Sequence, residues 1–435
     1  MMSKPLKPVS PRAGKPAGPH LWRPYTQMKT APAALEVVSA TGVRLKLADG
    51  RELIDGVSSW WTTVHGYGHP HIVEAIADQV ARMSHVMLGG LSHEPAERLA
   101  ARLAALAPGE LDHVFFCESG SVSVEIAMKM AVQSFLNRGM QGRTRFVCFR
   151  GGYHGDTIAA MSVCDPEEGM HALFAGALPQ QIVADLPVDA ETTARFEALL
   201  DAHEGEIAGV ITEPLVQGAG GMRFFPAEAL QAMRRACDAR GLVLIFDEIM
   251  TGFGRLGTMF ASEKAGVVPD IMTVSKALTG GTLPLAAAIA SREIFSHFWS
   301  DDAGAALMHG PTYMGNPAAC AAANASLDLF EREPRLQQVA AIEAAYARLL
   351  PAARTIPGVR DVRWQGAIGV IEMESLPELD RLKADFVTAG LWVRPFRNII
   401  YLMPPYIIAT DDLETLIETT IRVARAWAER HFAAG

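Results

Sequence analysis

An acid and a lysine follow two apolar runs in the middle of the chain. The run 242–246 has the branched, apolar composition of a buried strand, and Asp247 comes directly after it. A second short run, 271–274, is followed by Ser275 and Lys276. Because ligands of an open parallel α/β sheet bind at the carboxyl ends of its strands, we expect Asp247 and Lys276 to face one site.

The two side chains have the chemistry that opposite ends of pyridoxal phosphate require. The neighbours of Lys276 are small or apolar, so desolvation should lower its pKa and leave a nucleophilic amine that forms a Schiff base with an aldehyde. A buried Asp247 needs a cationic partner, and a protonated pyridine nitrogen is one, which makes the ring an electron sink. Alone, Lys276 could be a surface charge and Asp247 a loop cap. The pair, 29 residues apart on successive strand ends, favours the cofactor.

Two segments are candidates for holding the phosphate. Gly120 and Ser121 lie between a predicted strand and a predicted helix, where close backbone approach, amide N–H groups and the helix dipole attract an anion. A serine that only caps the helix is the alternative. Pro311 and Thr312 place a hydroxyl in a glycine-flanked loop and are the second candidate.

Three further positions could contact a ligand. Tyr153 follows two glycines at a strand end, where its ring can stack on a planar cofactor, although a partly buried loop tyrosine is the alternative. Trp60 and Trp61 are adjacent and could not both face one core in a strand, so we expect one to face a pocket. Arg394 follows a strand near the carboxyl end, and its guanidinium could bind a carboxylate or simply lie on the surface.

The elements that would position these residues predict an α/β fold. Strands and helices alternate over 66–330, which indicates a large cofactor-binding domain with a mainly parallel sheet covered by helices. Residues 331–435 form a predicted α+β block. Together with 20–65, which carries a hairpin signal, they make up a smaller domain from both chain ends. Residues 1–19 are predicted to be a disordered tail, because they are rich in proline and offer little to bury.

The net charge, the apolar runs and the cysteine count argue against several classes of protein. The 435 residues carry a net charge of −9 without a basic run, so no nucleic-acid partner is expected. No apolar run approaches the roughly 20 residues that span a bilayer, and no secretory signal is recognisable, so no membrane partner is expected. The five cysteines lack C-x-x-C spacing, which favours reduced, buried thiols in a cytoplasmic enzyme, and we predict no metal site.

Together these residues resemble the class III aminotransferases, which use pyridoxal phosphate and have the fold of type I. The resemblance runs from residue 21 to about residue 432. FDEIMTGFGR (246–255) and SKALTGG (275–281) are typical of the whole class. DGVSSWW (55–61) and YLMPPY (401–406) are more specific and resemble the members that act in biotin biosynthesis.

The resemblance implies a role for each part of the cofactor site. Lys276 matches the lysine that holds the cofactor and carries protons, and Asp247 matches the acid at the pyridine nitrogen. Gly120 and Ser121 match the phosphate cup. Glu118 stands where an aspartate is expected before this cup, which keeps the charge.

The same resemblance implies a homodimer with shared active sites. Pro311 and Thr312 match a loop that reaches the phosphate of the cofactor in the partner subunit. Pro311 stands where other members can carry histidine, and Thr312 keeps its place.

The resemblance also implies a set of substrate contacts. Tyr153 matches the residue beside the ring that also touches the substrate, and Arg394 matches the arginine that holds the carboxylate of the keto substrate. The other positions match substrate contacts or pocket walls: Trp60, Gly310, Tyr25 and Tyr401.

For the reaction, the resemblance implies amino transfer from S-adenosylmethionine to 8-amino-7-oxononanoate, which gives 7,8-diaminononanoate. The alternatives are the same reaction with lysine as donor and a class III aminotransferase that acts on ω-amino acids. A non-enzymatic regulator that binds pyridoxal phosphate would need a fused DNA-binding segment, for which a 19-residue tail is too short.

Overall fold

The computed structural model describes residues 20–167 and 172–432. The tail predicted for 1–19 lies outside the described residues. Internal contacts group the chain into two compact units, Met1–Glu36 and Val37–Gly435. The helices and strands of the described residues all belong to the second unit.

The second unit combines short strands with helices of one to six turns. The strands are β1 Val37–Thr41, β2 Arg44–Leu47, β3 Glu52–Asp55, β4 Leu111–Cys117, β5 Arg145–Phe149, β6 Ile182–Ala184, β7 Ile207–Thr212, β8 Val216–Gln217, β9 Arg223–Phe224, β10 Val243–Asp247, β11 Ile271–Val274, β12 Ala286–Ser291, β13 Val359–Gln365, β14 Ile368–Met373, β15 Leu391–Trp392 and β16 Ile399–Leu402. The α-helices are α1 Pro70–Arg82, α2 Glu94–Leu106, α3 Gly120–Asn137, α4 Ile158–Ser162, α5 Ala190–Ala202, α6 Ala227–Arg240, α7 Ala261–Ala265, α8 Arg292–Ser296, α9 Pro317–Arg332, α10 Arg335–Leu349, α11 Leu379–Thr388 and α12 Thr410–Phe432. Short 3-10 helices lie at Ala172–Ala177, Lys276–Thr279, Ala303–Ala305 and Leu350–Thr355.

A seven-stranded sheet carries the predicted site at one edge. Its strand order is β4-β12-β11-β10-β7-β5-β6, and all neighbours are parallel except β12, which runs antiparallel to both β11 and β4. The mainly parallel α/β sheet of the fold prediction is therefore confirmed. In the β10–β11 pair, Asp247 lies opposite Thr273. Lys276 comes three residues after Thr273 in the chain, so it leaves β11 at the same edge of the sheet as Asp247.

The central strands are apolar on both faces because helices cover both sides of the sheet. In β10, Leu244 and Phe246 belong to one core cluster, whereas Val243 and Ile245 belong to another that includes the buried face of α3. This explains why the run before Asp247 shows no alternation of polar and apolar residues.

Two smaller sheets lie outside the central one. The first has the order β1-β2-β3-β15, in which β15 runs parallel to β3, so strands from both ends of the second unit share one sheet. The second has the order β13-β14-β16. This α+β part agrees with the predicted fold class, whereas the boundaries at 65/66 and 330/331 stay a prediction.

Prolines lie close to the ends of two strands. β12 begins only at Ala286, because Pro284 lacks the N–H that the ladder requires. β15 ends at Trp392, three residues before Pro395. Within the described ranges, no helix is both long and apolar enough to cross a membrane.

Candidate active site

Asp247 and Lys276 lie at the ends of neighbouring strands, as predicted. Asp247 is the last residue of β10 and is buried, and Lys276 begins a short 3-10 helix after β11. Burial lowers the pKa of the Lys276 amine, while the negative charges of Asp247 and then Glu213 act in the opposite direction. The structure thus brings the amine within the electrostatic reach of both carboxyl groups.

A buried histidine holds the Asp247 carboxylate. His154 Nδ1 lies 2.7 Å from Asp247 Oδ2, and both side chains are almost fully buried. The backbone N–H of Ile249 donates to Asp247 Oδ1 over 3.1 Å. These contacts fix the orientation of the carboxylate, which can then face a positive charge in the site.

The amino terminus of α3 has the features of an anion site. Ser119, rather than Ser121, caps the helix, since its hydroxyl accepts the N–H of Val122. Ser121 Oγ instead accepts the N–H of Asp156 over 3.0 Å, which ties the following loop to the helix start. A Cβ at Gly155, where φ is +129°, would lie 2.2 Å from Ser121 Oγ, so only glycine permits this approach.

Tyr153 links this loop to Glu213, an acid at the end of β7. The Tyr153 N–H donates to Glu213 Oε2 over 3.1 Å, and the Tyr153 hydroxyl donates to Asp156 over 2.9 Å. Glu213 Oε1 accepts the N–H of Gly218 over 2.9 Å. Burial raises the pKa of Glu213 to about 7, which the nearby Asp247 reinforces and His154 opposes.

Both tryptophan rings contact charged site residues. The Lys276 Nζ atom lies 4.9 Å from the centroid of the Trp61 ring, which is 8% exposed. The Arg394 guanidinium lies 4.5 Å from the centroid of the Trp60 ring, which is 38% exposed. The two tryptophans do not lie in a strand, because residues 58–61 form a left-handed turn. The expectation that one of the rings faces a pocket stays a prediction.

Tyr401 completes this aromatic group, and its role at the site stays a prediction. It lies in β16 and is buried, and its hydroxyl accepts from Trp61 Nε1 over 3.2 Å. Burial raises the pKa of Tyr401 well above its usual range. The hydroxyl is therefore a neutral hydrogen-bonding group beside the Trp61 ring.

Gly310, Pro311 and Thr312 lie in the loop between the 3-10 helix Ala303–Ala305 and α9. Lys129 of α3 donates to Met308 of this loop over 2.5 Å, and the Tyr313 ring packs on His85 at 4.7 Å between centroids. Gly310 and Thr312 are exposed. Their roles, and that of Tyr25 in the first unit, stay predictions.

The comparison with known protein families decides the class. The family model described as aminotransferase class-III matches residues 25–423. The chain belongs to the class III aminotransferases.

Relatives of this aminotransferase carry a more specific name. It is 45% identical over 414 residues to the adenosylmethionine-8-amino-7-oxononanoate aminotransferase of Mycobacterium leprae, covering 93% of this chain and 95% of the relative. It is 44% identical over 403 residues to the protein of that name from Corynebacterium glutamicum, covering 90% and 94%.

Solved structures place this aminotransferase in the same fold. A crystal structure of an adenosylmethionine-8-amino-7-oxononanoate aminotransferase from Methanocaldococcus jannaschii superposes with a TM-score of 0.89 at 33% identity, over 94% of this chain and 97% of that chain. An amine transaminase from an uncultivated Pseudomonas species, in its PLP-bound form, gives 0.88 at 31% identity, over 95% and 100%.

This aminotransferase depends on pyridoxal phosphate, and its residues fit the cofactor. Lys276 offers an amine of lowered pKa, and Asp247 offers an oriented carboxylate on the neighbouring strand. The start of α3 offers backbone amide groups, and Gly155 lets the next loop approach Ser121 where a Cβ would clash. The described residues contain no group of three or more histidine, cysteine, aspartate or glutamate side chains that could hold a metal ion.

Sequence reasoning missed Glu213 and His154 in the aminotransferase site. Glu213 directly follows β7, the parallel neighbour of β10, so the strand-end argument that found Asp247 could have found it. His154 lies beside Tyr153 in a loop that had already been singled out.

A buried arginine of the site was also missed. Arg255 Nη2 donates to the carbonyl oxygen of Trp61 over 3.0 Å, and its guanidinium lies 5.0 Å from the ring centroid of Tyr406. Among the described residues, nothing accepts a hydrogen bond from its Nε and Nη1 atoms. The signal was its position at the end of FDEIMTGFGR, a motif from which only Asp247 was used.

We expect replacement of Glu213 by Gln to change how stability depends on pH. The folded protein holds the Glu213 proton up to about pH 7, whereas an unfolded chain releases it near pH 4.5. The raised pKa of Glu213 therefore stabilises the folded state fully below pH 4.5, and this contribution is lost as the pH rises through 7. The loss amounts to about 3 kcal/mol by pH 8, and Glu213→Gln should not show it.

Urea unfolding at pH 5 and pH 8 measures this effect. Between pH 5 and pH 8, the unfolding free energy of the wild type should fall relative to that of Glu213→Gln. The exposed Glu197 gives a matched control, since Glu197→Gln should follow the wild type at both pH values. If the unfolding free energies of Glu213→Gln and the wild type change equally between pH 5 and pH 8, the raised pKa of Glu213 is contradicted.

Proposed function

We propose that the protein transfers an amino group from S-adenosylmethionine to 8-amino-7-oxononanoate, giving 7,8-diaminononanoate in biotin biosynthesis in the cytoplasm. The relatives' names support the pair of substrates. The observation that carries the proposal is the placement of Arg394 and Lys276 against the two rings of one tryptophan pair. An arginine and an amine beside adjacent aromatic rings would suit a long ketone with a terminal carboxylate.

Lys276 and Asp247 would perform the central chemistry. When bound, the cofactor supplies an electron sink for charge that develops at the substrate carbon. Lys276 would hold the aldehyde until the donor arrives, and its freed amine would then move the proton to and from that carbon. Asp247, oriented by His154, would keep the ring nitrogen protonated.

The phosphate would be bound from two chains. Gly120 and Ser121 would supply backbone N–H groups and a hydroxyl at the start of α3. Pro311 and Thr312 lie in a loop that is partly exposed in the single chain, and we infer that they reach the phosphate in a partner subunit. The protein would therefore act as a homodimer with shared active sites.

Aromatic residues would form the walls of the substrate pocket. Tyr153 would stack beside the ring and touch the substrate, and Tyr401 would line the wall behind Trp61. Trp60 would cover the chain of the substrate beside Arg394. Gly310 and Tyr25 are the remaining proposed substrate contacts.

Arg255 is a second candidate for an anionic part of a substrate. Its guanidinium is fully buried, and two of its three nitrogen atoms, Nε and Nη1, lack a hydrogen-bond partner among the described residues. Since an unsatisfied buried donor is destabilising, a carboxylate of donor or acceptor is the expected complement.

A panel of amino donors tests the proposal. Purified enzyme with 8-amino-7-oxononanoate should form the diamine with S-adenosylmethionine and not with lysine, alanine or an ω-amino acid. Lysine as the effective donor would leave the acceptor assignment intact and replace the donor. Turnover of an ω-amino acid with an α-keto acid as acceptor, together with no conversion of 8-amino-7-oxononanoate, would favour an ω-transaminase.

Replacement of Arg394 by Ala should weaken binding of the ketone. Loss of a charge-assisted contact to a carboxylate should raise KM for the ketone roughly 10- to 100-fold, with a much smaller effect on the reaction between donor and cofactor. Arg381→Ala is the matched control, because this arginine is exposed and forms an ion pair with Glu378. Unchanged ketone kinetics in Arg394→Ala would remove Arg394 from the binding site.

A further inference from the structure

The turn that carries the tryptophan pair has an unusual backbone conformation. Ser58, Ser59, Trp60 and Trp61 have φ values of 48°, 48°, 62° and 75°. Four consecutive residues with side chains thus occupy the left-handed region, which favours glycine. Because the turn contains no glycine or asparagine, neighbouring groups must stabilise this conformation.

One buried carboxylate organises the turn from its amino-terminal side. Asp55 Oδ1 accepts the N–H of Val57 over 2.9 Å, and Oδ2 accepts the N–H of Ser59 over 2.9 Å. The Tyr67 hydroxyl also donates to Asp55 Oδ2, over 2.6 Å. Two of the three donors are therefore backbone groups at the entry to the turn, and the third keeps the carboxylate in place.

The Tyr67 side of this arrangement is itself fixed. The Tyr67 N–H donates to the carbonyl oxygen of Gly42 over 2.8 Å, and the Gly42 N–H donates back to Tyr67 over 3.1 Å. On the other side of the turn, the Ser58 hydroxyl donates to the Met403 carbonyl oxygen over 2.7 Å. Three residues therefore hold the turn: Asp55 at the end of β3, Tyr67, and Met403 directly after β16.

The turn determines where two charges of the site meet aromatic rings. Trp61 faces the Lys276 amine at 4.9 Å, and Trp60 faces the Arg394 guanidinium at 4.5 Å. If these two residues rotated out of the left-handed region, both rings would leave their partners together, because they are adjacent in one turn.

We propose that Asp55 and Tyr67 are positioning residues that set the spacing between Lys276 and Arg394 through the tryptophan turn, and so select a ketone by the distance from its carbonyl to its carboxylate. This inference rests on the proposed function, in which Lys276 and Arg394 act on the two ends of the ketone. Neither Asp55 nor Tyr67 needs to touch the substrate.

Two variants of the holoenzyme test the inference. Tyr67→Phe removes only the hydroxyl, and Asp55→Asn replaces an acceptor by a donor facing Ser59 and Tyr67. We expect kcat/KM for 8-amino-7-oxononanoate to fall roughly 10- to 100-fold in Asp55→Asn and roughly 3- to 10-fold in Tyr67→Phe, mainly through KM. Cofactor content should remain that of the wild type. Tyr346→Phe is the control, because that buried hydroxyl has no partner among the described residues.

A double-mutant cycle separates positioning from general loss of structure. If Tyr67 acts through the turn, combining Tyr67→Phe with Trp60→Phe should lower kcat/KM little more than Trp60→Phe alone. Additive effects, or an unchanged kcat/KM in a cofactor-loaded Tyr67→Phe, would overturn the proposal. Should Asp55→Asn fail to fold, Tyr67→Phe and its cycle decide alone.

Failure of the proposed function gives a different result. The wild type would then not convert 8-amino-7-oxononanoate, and the same cycle would be measured with whichever carboxylate-bearing acceptor the wild type does use. Non-additivity there would support the positioning role, and additivity would overturn it.

Discussion

Lys276→Ala should lose at least about 10⁴-fold in transamination rate, because one side chain supplies both the nucleophile and the proton carrier. The structure supports this double role. Burial lowers the pKa of the amine, and the Trp61 ring lies 4.9 Å from its nitrogen. A single-turnover measurement with the amino donor gives the rate directly.

The covalent link provides a second, independent readout. After borohydride treatment, denaturation and dialysis, the wild-type chain should retain the mass of the cofactor and Lys276→Ala should not. Lys264→Ala is the matched control, since this lysine is exposed and donates to the Leu256 carbonyl oxygen. Added methylamine should restore part of the rate to Lys276→Ala, because a soluble amine can carry the proton. A reducible cofactor in Lys276→Ala would rule the assignment out.

Asp247→Asn should slow the reaction of donor with cofactor roughly 10²- to 10³-fold, the size expected when a preorganised charge is removed from a buried site. A neutral amide cannot stabilise a protonated ring nitrogen as a carboxylate does. His154, 2.7 Å from the carboxylate, would meet the amide instead and could no longer hold the side chain in the same way.

The measurement again uses single turnover. Because Lys276 is intact, Asp247→Asn should keep the covalent link that Lys276→Ala loses, so the two variants differ in kind. Asp238→Asn, at an exposed aspartate paired with Arg234, should match the wild type. A rate within about threefold of the wild type would show that the Asp247 charge is not used.

Strand ends were the part of the site that local sequence could predict. Apolar runs fix where β10 and β11 lie, and parallel pairing then brings Asp247 and Lys276 to one edge. The antiparallel direction of β12 had no such signal, because direction depends on how its connection crosses the sheet rather than on the strand's own residues.

Contacts across long sequence separations could not be predicted in this way. His154 reaches Asp247 across 93 residues, and Arg255 reaches Trp61 across 194. The left-handed turn before Trp61 was equally hidden, because serine and tryptophan do not signal a positive φ and its stabilising partners include Met403, 345 residues away from Ser58. Only the resemblance implies site roles for Tyr401 and Arg394, because pattern alone would leave them as a core residue and a surface residue.

The most direct test of the account follows the two half-reactions separately. Mixing the holoenzyme with S-adenosylmethionine alone should remove the visible absorbance of the bound cofactor. Adding 8-amino-7-oxononanoate should then restore that absorbance and release one equivalent of 7,8-diaminononanoate per active site, detected by mass spectrometry. If S-adenosylmethionine leaves the absorbance unchanged while another amine removes it, the donor is wrong. If the ketone fails to restore the absorbance, the central claim about the reaction is contradicted.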